Sequence, residues 1–183
     1  MRNNISKEKS IVYTGDRLFF NKQDKIIQVK FNPTVSSIGR CHFGSCKSLE
    51  SIEMPNSIKT IHDQAFYNCT SLSSIQFPEY LERIGCKSFF NCKNVVNINL
   101  PCSLVDIGEY AFGGCSSLTT IIIPFSITTI APYTFRDCFS LSKVIIPPSV
   151  TCVGRYTFHR CISLLSIQMP DNIQRIERGA FSC

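Results

Sequence analysis

The sequence predicts a solenoid: stacked 23-residue repeats with a parallel β-sheet on one face and short strands and turns on the other. Three observations carry this. Cysteines fall at Cys46, Cys69, Cys92, Cys115, Cys138 and Cys161, each 23 residues after the last, without insertion or deletion. Phenylalanines keep the same step at Phe43, Phe66, Phe89, Phe112, Phe135, Phe158 and Phe181. Three apolar columns, such as Leu49, Ile52 and Met54, recur in every copy. A fixed period of ~20–50 residues marks an array whose single units bury too little apolar surface to fold alone.

The elements follow in order. Residues 1–25 form an N-terminal arm and cap, with residues 1–8 disordered, a short strand at Asp16–Phe20 and a polar turn over Asn21–Lys25. Such a cap covers the exposed end of a stacked array. Residues 26–183 are the solenoid, with seven strands and an incomplete last repeat. The columns run Ile26, Val29, Phe31; Leu49, Ile52, Met54; Leu72, Ile75, Phe77; Val95, Ile98, Leu100; Leu118, Ile121, Ile123; Leu141, Val144, Ile146; and Leu164, Ile167, Met169. The last two of each triplet lie two residues apart and so share one side of an extended strand. Each later strand ends in proline, at Pro55, Pro78, Pro101, Pro124, Pro147 and Pro170. Without an N–H, proline cannot continue a ladder, and the chain turns a corner there. A second apolar pair after each corner, as at Ile58 and Ile61 or Ile127 and Ile130, predicts a second extended side. A small residue then precedes each phenylalanine except at His42, letting the backbone turn closely while the ring fills the interior.

Composition excludes several classes. Hydrophobic content of 44% with 17% charged residues belongs to an ordered chain. The net charge is +6, but seven of the 19 Lys and Arg lie in residues 1–30 and none between Asn94 and Phe135. This is no nucleic-acid footprint, which needs a patch on one face. The opening nine residues lack the apolar core of a secretory leader, and Ile121-Ile122-Ile123 stops at Pro124, far short of the ~20 residues of a membrane span. The sequence as it stands is therefore expected to be soluble, with no export signal; sequons at Asn4 and Asn68 matter only in a secretory pathway. Eleven cysteines without a CxxC pair, six of them in one column, predict stacked buried thiols rather than disulfides or a metal site.

The run Ser48-Leu49, Ile52, Met54-Pro55, Ser57-Ile58, Ile61, Ala65-Phe66 and Cys69 resembles the BspA-type leucine-rich repeat, and Ser117-Leu118 to Cys138 resembles it still more. The likeness covers residues 26–183. It implies a leucine-rich-repeat solenoid and a surface protein of bacteria or protists, associated with adhesion to host extracellular-matrix proteins and to cells. It implies a cell-surface location, whereas the missing leader points to the cytoplasm.

No catalytic constellation interrupts the repeat. His42, His62 and His159 stand in different columns, Asp106 and Glu109 are isolated acids, and no phosphate-loop, nucleophile-elbow or dinucleotide motif occurs. Neither enzymatic activity nor a cofactor is expected. Gly113-Gly114 reads as conformational, and Tyr110, Tyr133 and Tyr156 as packing over the back of the coil rather than a binding stripe. The candidate ligand residues are the outward positions of the concave strand face: Asn97, Asn99, Thr120, Ile122, Lys143, Ile145, Ser166 and Gln168. Repeat scaffolds bind partners across such a face, and Ile122 with Ile145 forms an apolar spot rimmed by Thr120 and Lys143. The expected partner is a protein, in adhesion or host recognition, or an intracellular chain held by a scaffold. Self-association through an uncapped last repeat around Ile173, Ile176 and Phe181 is a further expectation.

Overall fold

The computed structural model of the protein describes residues 10–15 and 25–183. Expectations for residues 1–8, for Asp16–Phe20 and for all of the following turn but Lys25 lie outside these. One strand precedes Ile26 that the repeat pattern does not announce. β1 (Ser10–Tyr13) pairs in parallel with β2 (Gln28–Phe31), Tyr13 opposite Phe31. Its four residues carry no signature of the repeat; pairing with β2 creates it. Tyr13 is buried, with its ring 5.1 Å from that of Phe43 and its hydroxyl 2.6 Å from His42 Nδ1.

The predicted main face is formed by β2, β4 (Ser51–Glu53), β6 (Ser74–Gln76), β9 (Thr120–Ile122) and β11 (Lys143–Ile145). Register is set by the period: Ser51 lies opposite Ser74 and Lys143 opposite Thr120. The seven expected strands are not equal. In the copies around Asn97 and Gln168 the strand shrinks to a single bridge, Asn97 to Thr120 and Gln168 to Ile145. Asn97 and Asn99 are poor strand formers, which accounts for the first of these.

The second extended side is real but short. It consists of two-residue strands: β3 (Ser37–Ile38), β5 (Thr60–Ile61), β7 (Arg83–Ile84), β8 (Asp106–Ile107), β10 (Thr129–Ile130), β12 (Cys152–Val153) and β13 (Arg175–Ile176). They pair in two blocks, β3-β5-β7-β8 and β10-β12-β13. Between the two sides, each proline carbonyl accepts a bond from the residue three further on, as in Ile58 N to Pro55 O at 3.0 Å. A serine beside the corner ties it to the copy before: Ser57 Oγ donates to Val35 O at 2.7 Å, and Ser103, Ser126 and Ser149 repeat the bond.

The interior is layered. Seven phenylalanine rings from Phe43 to Phe181 stack with centroids 5.1–5.7 Å apart. Beside them runs the cysteine column, fully or nearly fully buried and free of disulfides. From the second copy on, each thiol donates to the phenylalanine carbonyl of the preceding copy: Cys69 to Phe43, Cys92 to Phe66, Cys115 to Phe89, Cys138 to Phe112 and Cys161 to Phe135, at 3.0–3.3 Å. Desolvation pushes Cys115 and Cys161 up to about 12 from an ordinary 9.0. The thiols are a hydrogen-bonded spine.

The closing turn uses left-handed backbone twice per copy. One column is Cys41, Gln64, Lys87, Tyr110, Tyr133, Tyr156 and Gly179; the other is Ser45, Asn68, Asn91, Gly114, Asp137 and Arg160, all with φ between 54° and 72°. Eleven of these thirteen are not glycine, and an L-residue pays roughly 1–2 kcal/mol for this conformation. The stack above and below must hold them there. Gly114, at φ 72°, is thus a conformational glycine, while its neighbour Gly113 is buried against Phe90 and Tyr110.

Candidate functional site

Alternation along each short strand sends one residue in three into the core and its two neighbours outward. In β9 and β11 the buried members are Ile121 and Val144, which leaves Thr120, Ile122, Lys143 and Ile145 on the surface. The structure places all eight predicted residues on this one face. Asn97, Asn99, Ile122, Lys143, Ile145, Ser166 and Gln168 are exposed, and Thr120 is half-buried. Parallel register sets Ile145 directly beside Ile122 and Lys143 beside Thr120. The bridges extend these rows to Asn97 and Gln168. Thr119 at the strand edge donates to Asn97 Oδ1 at 3.2 Å and holds that asparagine in place.

Beyond the two isoleucines, a third apolar side chain is exposed a few residues after β9. Ile122 is 56% exposed and Ile145 41%, and Phe125, just past the Pro124 corner, is 74% exposed. Other copies hold Asn56, Glu79, Cys102 and Asp171 in the column of Phe125, with Pro148 in the copy after it. The signal that could have found Phe125 is a large exposed ring in a column that otherwise holds Asn, Glu, Asp, Cys or Pro. Next to Ile145 the face falls into an open groove of about 870 Å³. Lys143, Ile145 and Pro148 line one side, and Gln168, Met169 and Asp171 the other. Asn172, also in the lining, donates to Pro148 O. Three predicted residues, Lys143, Ile145 and Gln168, therefore meet in one concavity. Asn97, Asn99, Thr120, Ile122 and Ser166 share the face but not the groove.

The far end of the same face differs. A second depression of about 550 Å³ is lined mainly by the polar Gln28, Lys30, Ser51, Glu53, Ser74 and Gln76, together with Val29, Phe31 and Ile52. The face thus grades from polar at β2 to apolar at β9 and β11. A partner reading it would find a direction as well as a surface.

The three histidines have different surroundings. His42 is bound to the Tyr13 hydroxyl, His62 is exposed, and His159 Nδ1 lies 2.8 Å from Ser182 Oγ. Among the described residues, no group of three His, Cys, Asp or Glu side chains is placed to hold a metal ion, and no helix is long and apolar enough to cross a membrane. The tyrosine column is stacked: Tyr110 to Tyr133 at 4.4 Å and Tyr133 to Tyr156 at 5.4 Å between centroids.

Comparison with known proteins agrees with this architecture. A profile of the BspA type leucine-rich repeat region matches residues 13–139 and 59–183, in six copies. Among solved structures, the T. pallidum leucine-rich repeat protein is 30% identical, with a TM-score of 0.76 over 85% of this chain and 71% of its own. A Bacteroides ovatus leucine-rich repeat protein is 30% identical, with a TM-score of 0.80 over 94% of this chain. A leucine-rich cell surface protein of Faecalibacterium prausnitzii is 31% identical, with a TM-score of 0.76 over 97% of it. The chain spans only 43% and 45% of the lengths of these last two. No curated protein matches it significantly. Repeat length, buried thiol spine, sheet register and profile match concur, and the chain belongs to the BspA-type leucine-rich repeat family.

Proposed function

We propose that the protein is a non-catalytic scaffold that binds a protein ligand through the strand face, centred on Ile122, Phe125 and Ile145, and that it serves adhesion or host-protein recognition at a cell surface. The observation that carries the site is the pair of exposed isoleucines set side by side next to a groove, with Phe125 exposed just past the corner, on a face whose other outward strand positions are polar. Apolar centres with polar rims are where binding energy concentrates at protein interfaces. Lys143 and Asp171, of opposite charge on opposite walls of the groove, give the rim a polarity that selects orientation. The surface role is supported by family membership and by the F. prausnitzii relative, which is described as a cell surface protein.

One observation favours an intracellular scaffold instead. Cys86 and Cys102 are exposed free thiols, which a reducing compartment preserves. Surface biotinylation of intact cells separates the readings: labelling alongside a known surface marker supports adhesion, and exclusion from the labelled pool supports the scaffold. The site is tested by pull-down from host matrix and from cell extract. Ile122→Asp combined with Ile145→Asp is expected to abolish capture while the circular dichroism spectrum stays unchanged; undiminished capture by the folded variant would remove this face from consideration.

A further inference from the structure

The turn side of the coil carries a second chemistry, away from the strand face. Tyr110, Tyr133 and Tyr156 stack along the axis, each half-buried, with neighbouring ring faces turned to one another. Cations line this stack. Lys87 Nζ lies 5.2 Å from the centre of the Tyr110 ring, and the guanidinium carbons of Arg155 and Arg136 lie 5.4 and 5.9 Å from that of Tyr133. Arg160 sits 5.2 Å over Phe139 in the same turn. Arg178 occupies the column of Arg155 one rung further on: Tyr133 N donates to Arg155 O, and Tyr156 N to Arg178 O.

The acids on this side are fewer and mostly engaged. Asp137 stands between Arg136 Nε at 3.2 Å and Arg160 Nη1 at 3.1 Å. Its Oδ1 is buried and gains no well-directed hydrogen bond from Arg160, so that contact is one of charge alone. Glu177 pairs with Arg175 at 3.1 Å and accepts from Arg155 N at 2.9 Å. Glu109, two rungs below Arg155 in its column, is exposed. Among the described residues, the side chains of Lys87, Arg155 and Arg178 have no carboxylate within salt-bridge distance. These three cations are exposed, spread along several rungs, and held against or beside the aromatic column rather than neutralised.

We propose that this stripe is a second binding site, for a linear anionic polysaccharide running along the axis of the array. Arginine guanidinium groups take sulfate or carboxylate oxygens in charge-assisted, often bidentate hydrogen bonds. The tyrosine hydroxyls add donors and acceptors for sugar hydroxyls. Successive tyrosine rings stand 4.4 and 5.4 Å apart, of the order of one pyranose unit in an extended chain, so Arg155 and Arg178, one rung apart, can meet charges on neighbouring sugar units. Single-stranded nucleic acid fits less well: it needs free aromatic faces on which bases stack, and here the faces between successive tyrosines are taken, both of those of Tyr133 included.

The test uses the full chain on immobilised heparin, with salt elution, and with single-stranded DNA and polyglutamate as competitors. Retention that weakens with salt is expected, as ion release drives such binding. Arg155→Glu combined with Arg178→Glu should lower heparin affinity at least tenfold. Lys25→Glu combined with Lys30→Glu, the same charge change on the opposite end of the chain, should lower it by less than threefold. Ile122→Asp with Ile145→Asp should leave it unchanged, so this site and the strand-face site fail independently. Equal loss in both charge-reversed variants would reduce the binding to net charge and overturn the site. Displacement by DNA or polyglutamate at concentrations lower than free heparin requires would overturn the polysaccharide assignment.

Discussion

The thiol of Cys138 donates a hydrogen bond to the carbonyl oxygen of Phe112, 26 residues earlier, at 3.3 Å. That oxygen already accepts the backbone N–H of Cys115 at 3.2 Å, so the thiol fills its second lone pair inside the core. Cysteine suits the position because it is small and apolar yet still a donor. Cys138→Ala is expected to cost about 1–2 kcal/mol, from a weak hydrogen bond and a small void, without leaving the carbonyl unpaired. Urea denaturation of the purified protein measures it. A loss above about 4 kcal/mol would mean that the thiol does more than this bond describes.

The same burial makes stability sensitive to alkaline pH. Desolvation raises Cys115 and Cys161 to about 12, and Cys69, Cys92 and Cys138 shift in the same direction. For Cys69 the largest contribution is its hydrogen bond with Cys46, ahead of burial. A thiol whose folded pKa exceeds its unfolded one holds its proton better when folded. Its contribution is complete below the unfolded value of 9.0 and lost as pH rises toward about 12. The unfolding free energy should stay level to pH 8 and then fall, and Cys115→Ala should make that fall shallower. In native protein at pH 8, iodoacetamide should label the exposed Cys86, Cys102 and Cys183 and spare the column; mass spectrometry showing labelled Cys115 would contradict this.

Ser88 breaks the pattern of its column and offers a stabilising change. The column reads Ala65, Ser88, Ala111, Thr134, Thr157 and Ala180. Thr134 and Thr157 donate to backbone carbonyls three residues back, at 2.8 and 2.7 Å, whereas Ser88 Oγ is buried with no partner. A buried hydroxyl without a bond costs about 1–3 kcal/mol. Ser88→Ala should therefore raise stability by about 1 kcal/mol, seen as a higher melting temperature in calorimetry. A lower one would show that the hydroxyl is satisfied in solution.

Asn91 reverses the usual ranking of alanine and glycine. Its backbone is left-handed at φ 64°, and its side-chain Nδ2 donates to Asn68 Oδ1 at 3.0 Å. Both substitutions lose that bond, but only alanine also pays the left-handed penalty of roughly 1–2 kcal/mol. Asn91→Gly should thus be milder than Asn91→Ala, as Gly114 in the same column suggests. Chemical denaturation of the pair decides it.

Which features could be read from residues alone follows from what repeats. The core columns, the proline corners and the phenylalanine stack recur in every copy, so period and polarity revealed them. β1 could not be found that way, because Ser10–Tyr13 belongs to no column and becomes a strand only against β2. The left-handed positions were equally hidden: Tyr, Lys, Asp and Arg all occupy them, since the stack and not the side chain imposes the conformation. On the binding face, Ile122 and Ile145 stood out by contrast with their columns. Phe125 also contrasts with its column, but that column lies past the corner, where a sequence reading that follows strands does not look. The groove beside Ile145 is a shape, and depends on how Gln168 and Met169 settle against β11.

The spine and the register share one arithmetic. Serine at the corner reaches back 22 residues, asparagine in the turn 23, and the thiol 26, so every bond joins a copy only to the copy before it. Removing or adding 23 residues as a block restores each of these partners in kind. Removing 22 or 24 offsets all of them at once, putting side chains meant for the interior into the turn. Length in such a protein is therefore a quantity that can change only in whole units, and a gene encoding it can grow by copying a unit without redesigning a single junction.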